Sequence, residues 1–314
     1  MKVLVTGGAG FIGSHLVDSL LTGGHSVRVL DDLSSGSLAS VRSDVDFVGG
    51  SVADERAVTT AVNNVEVVFH QAAHRAVLRS VEHPLTTDQA NTHGTLTVLK
   101  ASVAAGVRRV VYASSSSVYG TGAARPVVES ATPSPRSPYA VTKLAGEHYC
   151  RVFADLHGLE TVALRYFNVY GPRQRPDSAY AAVIPLFMQA LARSEAPIVN
   201  GDGYQSRDFT YIDDVVLANL AAAKAPADAC SGKAYNIAGG HAYSLLDLLD
   251  ILGEINGVES HPVFSDPRPG DVRHTQADIT AARLDLGHAP RVAFHEGLRR
   301  TVEWYATETT RSAV

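Results

Sequence analysis

Cysteine, methionine and tryptophan are scarce in this chain, at two, two and one residues in 314. Cys150 and Cys230 stand far apart, with no paired spacing for zinc. That excludes a disulfide scaffold and makes a reducing, cytoplasmic compartment the expectation. Runs of one charge are missing as well. Lys and Arg total 27 against 32 Asp and Glu, a net charge of −5, and no basic run exceeds two residues. No nucleic-acid partner and no membrane surface are therefore expected, although a local basic pocket for one phosphorylated ligand stays open. Long apolar runs are also absent. The amino-terminal run is cut short by Gly7, Gly8 and Gly10, and the apolar stretch 215–225 contains Asn219 and Lys224. The first is too short for a secretion signal, and the second is about half the length of a spanning helix. None of the thirteen histidines is read as a metal ligand, so no metal site is expected.

What is present is material for one large core or two smaller ones, with 45% hydrophobic and 19% charged residues. The first 170 residues alternate short β-branched runs with segments of helical period, the pattern of a parallel sheet covered by helices. The strand candidates are 3–5, 27–30, 65–69, 110–112 and 161–165. Ile12, Leu16 and Leu20 mark one helix face, and Val58, Ala61 and Val62 mark another. In such sheets ligands sit beyond the carboxyl ends of the strands, here Thr6–Gly10 and Ala113–Ser117. After Gly171-Pro172, Pro and Gly clusters punctuate shorter elements, which predicts a smaller region laid over those strand ends.

Thr6-Gly7-Gly8-Ala9-Gly10-Phe11-Ile12-Gly13 follows the first strand directly and opens a helix. Its glycines let the backbone approach a pyrophosphate whose charge rests on the helix amino end. Eighteen residues after Gly13, Asp31 ends the second strand, where a carboxylate accepts both ribose hydroxyls of an adenosine and repels a 2′-phosphate. NAD is expected rather than NADP. The serine run 114–117 is flanked by Val110-Val111-Tyr112 and Val118-Tyr119-Gly120, which makes it a strand end. Ser137 caps the next helix with Pro138 in its first turn, so Tyr139 and Lys143, four apart, share one face. An ammonium beside a phenol favours phenolate, and moving a tyrosine from about 10 to about 7 takes roughly 4 kcal/mol. Tyr139 is the expected general base. His74 and Arg75, after Ala72-Ala73, are further candidates to face the nicotinamide or the molecule that reacts with it.

These motifs resemble the extended short-chain dehydrogenase/reductase family, and within it the UDP-sugar 4-epimerases. The likeness continues through His70-Gln71-Ala72-Ala73, Arg165–Pro172, Gly201-Asp202-Gly203 leading to Arg207-Asp208-Phe209, Arg268-Pro269-Gly270-Asp271 and Glu296-Gly297-Leu298 with Trp304. It implies a Rossmann-type doubly wound parallel α/β sheet over 1–172, with returning elements near 207–240 and a smaller, interleaved C-terminal substrate domain over 173–314. It also implies a homodimer that binds NAD and a UDP-sugar. Gly7, Gly10, Phe11 and Ile12 would hold the pyrophosphate, Asp31 the adenosine ribose, and Ala72, Ala73 and Asn91 the inner half of the nucleotide, with Val52 and Tyr166 also on the cofactor. Tyr139 would be the base, Lys143 would bind the nicotinamide ribose, and Ser115 would hydrogen-bond the reacting sugar oxygen. Asn168, Arg207 and Arg268 would grip the diphosphate, Asp271 the uridine ribose, and Val183, Ile198 and Asn200 would lie near the uracil. One departure stands out: Gly49-Gly50-Ser51-Val52 lacks the acid that often contacts adenine.

The resemblance leaves three activities in play. A 4-epimerase would oxidise carbon 4 with Tyr139 as base and return the hydride to the other face of the 4-keto sugar. A 4,6-dehydratase or a decarboxylase needs an acid where Ser116 and Ser117 stand, and serine does not transfer that proton near neutral pH. A non-catalytic dinucleotide sensor would not need Ser115, Tyr139 and Lys143 together. Thr275, four after Asp271, sits where epimerases restricted to simple hexoses often carry a bulky aromatic. A threonine there leaves room for an N-acetyl group, so UDP-glucose and UDP-N-acetylglucosamine are both expected substrates.

Overall fold

The computed structural model of the chain describes residues 1–175, 182–267 and 272–312. Its first strands are β1 (Lys2–Thr6), β2 (Ser26–Asp31), β3 (Asp46–Gly49), β4 (Val67–His70), β5 (Arg109–Ser115) and β6 (Glu160–Tyr166). Then come β7 (Val169–Tyr170), β8 (Ile198–Asn200), β9 (Ser206–Asp208), β10 (Thr210–Tyr211), β11 (Lys233–Ile237), β12 (Ala242–Ser244) and β13 (Val263–Ser265). The helices are α1 (Phe11–Thr22), α2 (Glu55–Val62), α3 (Val77–Glu82), α4 (Pro84–Asp88), α5 (Gly94–Ala104) and α6 (Pro138–His157). They continue with α7 (Val183–Ala192), α8 (Ile212–Lys224), α9 (Ala227–Cys230), α10 (Leu245–Asn256), α11 (Thr280–Asp285) and α12 (Phe294–Ser312).

Seven strands form one sheet in the order β11-β6-β5-β4-β1-β2-β3, and every pairing in it is parallel. A parallel sheet is buried on both faces, which explains why its strands read as continuous apolar runs. In β1 the alternation separates the two cores. Val3 and Val5 pack with Leu16 and Leu20 of α1 and Val215 of α8, whereas Leu4 packs with Val58 of α2, Val98 of α5 and Cys150 of α6. The strand order turns back between β1 and β4, and the crevice at their carboxyl ends is the natural ligand position.

Two strands of this sheet were not expected individually. β3 has only Phe47 and Val48 as apolar residues and lies at one edge. β11, at the other edge, reads Lys-Ala-Tyr-Asn-Ile. Its Asn236 is fully buried because its amide donates to the carbonyls of Val127 and Asp278, both at 3.0 Å, and its oxygen accepts from Tyr119 at 2.6 Å. A buried, satisfied asparagine interrupts the apolar pattern without interrupting the strand. Residues 212–237 thus return to the sheet through α8 and β11.

A third core joins α7, α10 and α12 around Phe187, Leu249, Phe294 and Leu298. Phe294 stacks on Phe209 at 5.0 Å and on Tyr243 at 4.3 Å between ring centroids, tying the last helix to the link between β9 and β10 and to β12. Among the described residues, no helix is long and apolar enough to cross a membrane.

Candidate active site

A cleft of about 890 Å³ runs along the carboxyl ends of β1, β2, β4 and β5, and Gly7, Asp31, Ala72, Ser115 and Tyr139 line it. At one end, the turn after β1 brings backbone into close contact. Gly7 has φ +71°, and a Cβ there would lie 2.7 Å from the Ala72 nitrogen; one at Gly13 would lie 2.0 Å from the Gly7 carbonyl oxygen. Only glycine permits this approach. The N–H groups of Phe11, Ile12 and Gly13 open α1, where its own carbonyls cannot reach them, and these residues border the cleft. Asp31 accepts from the N–H groups of Ala9 at 2.9 Å and Leu33 at 2.8 Å. Burial pushes its pKa up, and those two amides oppose the shift.

His70 locks the ends of β1 and α5 together. Its Nδ1 is 2.7 Å from Thr6 Oγ1 and its Nε2 is 3.0 Å from Thr95 Oγ1. The Thr95 hydroxyl donates to the Asn91 carbonyl at 2.5 Å, so Nε2 carries the proton and Nδ1 accepts from Thr6. Asn91 is buried behind the cleft wall. Its amide donates to the His74 carbonyl at 3.1 Å and to Thr142 at 3.0 Å, and its oxygen accepts from the His74 N–H at 2.8 Å. It therefore holds the Ala72–His74 loop against α6. Val52, Ala72, Ala73 and Tyr166 line the cleft. Tyr166 bonds Gln71 and Asn219, and burial pushes its phenol up to about 12.

At the other end, α6 begins as its sequence requires: Ser137 Oγ accepts from the Ala140 N–H at 3.1 Å and Pro138 occupies the first turn. Tyr139 and Lys143 both reach the cleft beside Ser115. The electrostatics differ from the simple expectation. Lys143 Nζ donates to the Ala113 carbonyl at 2.7 Å and lies 5.9 Å from the centre of the Tyr139 ring, and burial lowers its pKa to about 7. Burial raises the Tyr139 phenol, opposed by a hydrogen bond with Ser115 and by the charge of Arg75. Two cations flank the tyrosine: Arg75 opposes the rise of its pKa, and the Lys143 ammonium, anchored on a backbone carbonyl, lies over its ring.

Beneath the strand end lies a buried polar chain that the motifs did not reveal. Ser114 donates to Glu147, and Arg165 holds the same carboxylate with two bonds of 2.9 and 2.7 Å. Arg165 also donates to Tyr119 at 2.7 Å. The acid of α6 nearest the site is thereby committed to structure. Asn168, at φ +33°, donates to the Asp208 carbonyl at 2.9 Å and to Thr275 at 3.3 Å, and it borders the cleft. The structure does not bring all the expected substrate residues to this wall. Val183 opens α7 next to the cleft-lining Ala182, while Ile198 is 63% exposed on β8 and Asn200 bonds Ser265 at 3.1 Å. Arg207, on β9, donates to the carbonyls of Ser206 and Arg273. Arg268 and Asp271 lie outside the described residues.

Residues 3–238 match the model of the NAD dependent epimerase/dehydratase family. The UDP-glucose 4-epimerase of Mycolicibacterium smegmatis is 40% identical over 98% of this chain and 100% of its own. A dTDP-glucose 4,6-dehydratase of Actinoplanes is 34% identical over 97% and 98%. Among solved structures, the UDP-glucose 4-epimerase of Thermotoga maritima superposes with a TM-score of 0.94 at 39% identity, covering 98% of this chain and all of that one. The UDP-N-acetylglucosamine 4-epimerase of Methanobrevibacter ruminantium gives 0.93 at 36%, covering 98% of both.

The chain belongs to the NAD dependent epimerase/dehydratase family. As such it is an NAD-dependent nucleotide-sugar enzyme by kinship, and its own residues fit the cofactor. The glycine turn leaves no room for side chains, helix N–H groups open where a pyrophosphate would lie, and Asp31 closes the far end. The family reading also draws attention to what the motifs missed. The loop after β2, from Ser34 to Arg42, lines the cleft along with Asp31, and a Cβ at Gly36 would meet Ala9 at 2.8 Å. Its Ser34-Ser35-Gly36-Ser37 composition was the available signal.

Proposed function

We propose that the protein is a UDP-sugar 4-epimerase that inverts carbon 4 of UDP-glucose/UDP-galactose and UDP-N-acetylglucosamine/UDP-N-acetylgalactosamine. The observation that carries this reading is the chemistry around Tyr139. Ser115, Ser116, Ser117 and Lys143 surround it in the cleft, and the groups acting on its ionisation are Ser115 and Arg75, with no carboxylate. A dehydratase or decarboxylase needs an acid there, whereas an epimerase needs only one proton acceptor. NAD, when bound, supplies the hydride acceptor at carbon 4 and gives the hydride back. Tyr139 takes the proton of the 4-hydroxyl and returns it after the sugar has turned. Ser115 donates a hydrogen bond to the reacting oxygen, and Lys143 positions the nicotinamide ribose.

The homodimer implied by family likeness has support in the surface of α6. Val141, Val152 and Leu156 are 53%, 44% and 74% exposed at helical spacing, beside exposed Val81 and Leu85 on α3 and α4. The deciding experiment is incubation with UDP-glucose, UDP-N-acetylglucosamine and their 4-epimers, followed by proton spectra of the sugar. Epimer without net change in the cofactor is the expected result. A 4-keto-6-deoxy product would assign a dehydratase, and inactivity of NAD-loaded protein toward all four and toward UDP-glucuronate would assign a sensor.

A further inference from the structure

Behind Ser116 a second chamber of about 510 Å³ opens, and Ser116 lines both it and the main cleft. Its walls include Arg125, Arg273, His274, Thr275 and Gln276, and no acid among the described residues. Arg273 is paired with Asp202 at 2.6 Å. Arg125 has no carboxylate within ion-pairing distance among the described residues. Positive charge bears on the His274 wall of this chamber from Arg125 and Arg273, which line it, and from Arg207 on β9. Arg125, Arg273 and Arg207 all act on His274, whose ring is held below its ordinary pKa first by burial and then by these three cations, opposed by Asp202. His274 Nδ1 is 2.9 Å from Ser206 Oγ, so the ring is fixed rather than free to turn away.

A positive chamber next to a neutral sugar site asks for an anion carried on the sugar. We propose that this chamber receives a carboxylate borne by the hexose of the nucleotide-sugar substrate, with Arg125 as its charge partner. The inference rests on the 4-epimerase reading and adds a substrate class to it. Ser115 and Tyr139 hold carbon 4 on the cleft side of Ser116, and a substituent on the ring reaches the chamber on the other side. The arginine's planar fork suits a carboxylate, and its place on an exposed loop leaves it free to engage one.

The test uses the full chain as wild type, Arg125→Ala and Arg125→Lys. Substrates are UDP-glucose, UDP-glucuronate, and a UDP-N-acetylhexosamine carrying a carboxyethyl ether at carbon 3. The two acidic sugars place the carboxylate at different ring positions, so a preference between them locates it. Arg125→Ala should lower kcat/KM for the preferred acidic sugar by about 10- to 100-fold, the range of one charged hydrogen bond, while UDP-glucose changes less than about threefold. Arg125→Lys should recover part of the loss. An equal fall for neutral and acidic sugars would overturn the proposal by showing that Arg125 serves the diphosphate common to all. Unchanged turnover of every substrate would overturn it too, as would wild-type turnover of UDP-glucose alone. Failure of the wild type with all three sugars would instead remove the 4-epimerase reading on which the proposal stands.

Discussion

Replacing His70 by Gln removes a titration that the fold forbids. His70 is 1% exposed, and burial, followed by the charge of Lys143, depresses its pKa to about 3. In the unfolded chain an imidazole titrates near 6.5. As pH falls below about 6.5 the unfolded state therefore takes up a proton that the native state refuses, so stability present above that pH is lost on the way down. The slope approaches 1.4 kcal/mol per pH unit, and between pH 7.5 and pH 5 the loss sums to about 2 kcal/mol. His288, lowered to about 4, adds a similar contribution in both proteins and cancels in the comparison. Urea unfolding followed by circular dichroism at pH 5, 6 and 7.5 reads the effect. Wild type should lose about 2 kcal/mol more than the variant over that range, even though Gln lowers stability at every pH by losing a bond to Thr6 or Thr95. Parallel pH profiles for the two proteins would refute the reasoning, because they would mean that His70 can be protonated in the native state.

Four further outcomes are expected. Tyr139→Phe should cut turnover by about 10²- to 10⁴-fold while leaving the NAD content of the purified protein unchanged, read by absorbance of released cofactor. Gly13→Ala puts a methyl 2.0 Å from the Gly7 carbonyl and should strip NAD from the protein, measured as cofactor per chain after purification. Glu147→Gln leaves the buried guanidinium of Arg165 without its partner and should cost about 3–5 kcal/mol in denaturant unfolding. Thr275→Tyr should suppress turnover of the acetylated substrate selectively. Because the Thr275 hydroxyl accepts from Asn168 and the Asp208 N–H, Thr275→Val serves as the control that removes those bonds without filling space.

Local signals carried most of the site. The glycine turn, the cap at Ser137 and the four-residue spacing of Tyr139 and Lys143 are short-range features, and the structure places them together in one cleft. Partnerships across the sheet were not legible. Glu147 and Arg165 lie on a helix and a strand that pack only after folding, and neither residue type announces a buried pair. Asn91 shows the same limit. The resemblance implies that it serves the nucleotide, and only the fold shows that its side chain bonds His74 and Thr142 and so anchors the loop. The charge of Arg75 near Tyr139 was not legible either, because whether a loop arginine comes close to a helix depends on how the loop packs.

By itself the sequence determined the alternation that makes a parallel sheet, the need for glycine at Gly7 and Gly13, and a tyrosine and a lysine four apart on one helix face with no acid in the serine run before them. These follow from residue type and spacing, which act within a few residues along the chain. Only the tertiary structure decided that β11 closes the sheet from 233–237, that Ser116 lies between two chambers, and that Arg125 and Arg273 meet at the second. Such meetings join residues far apart in the chain. They are fixed by how the loops pack over the strand ends, and no local pattern encodes that.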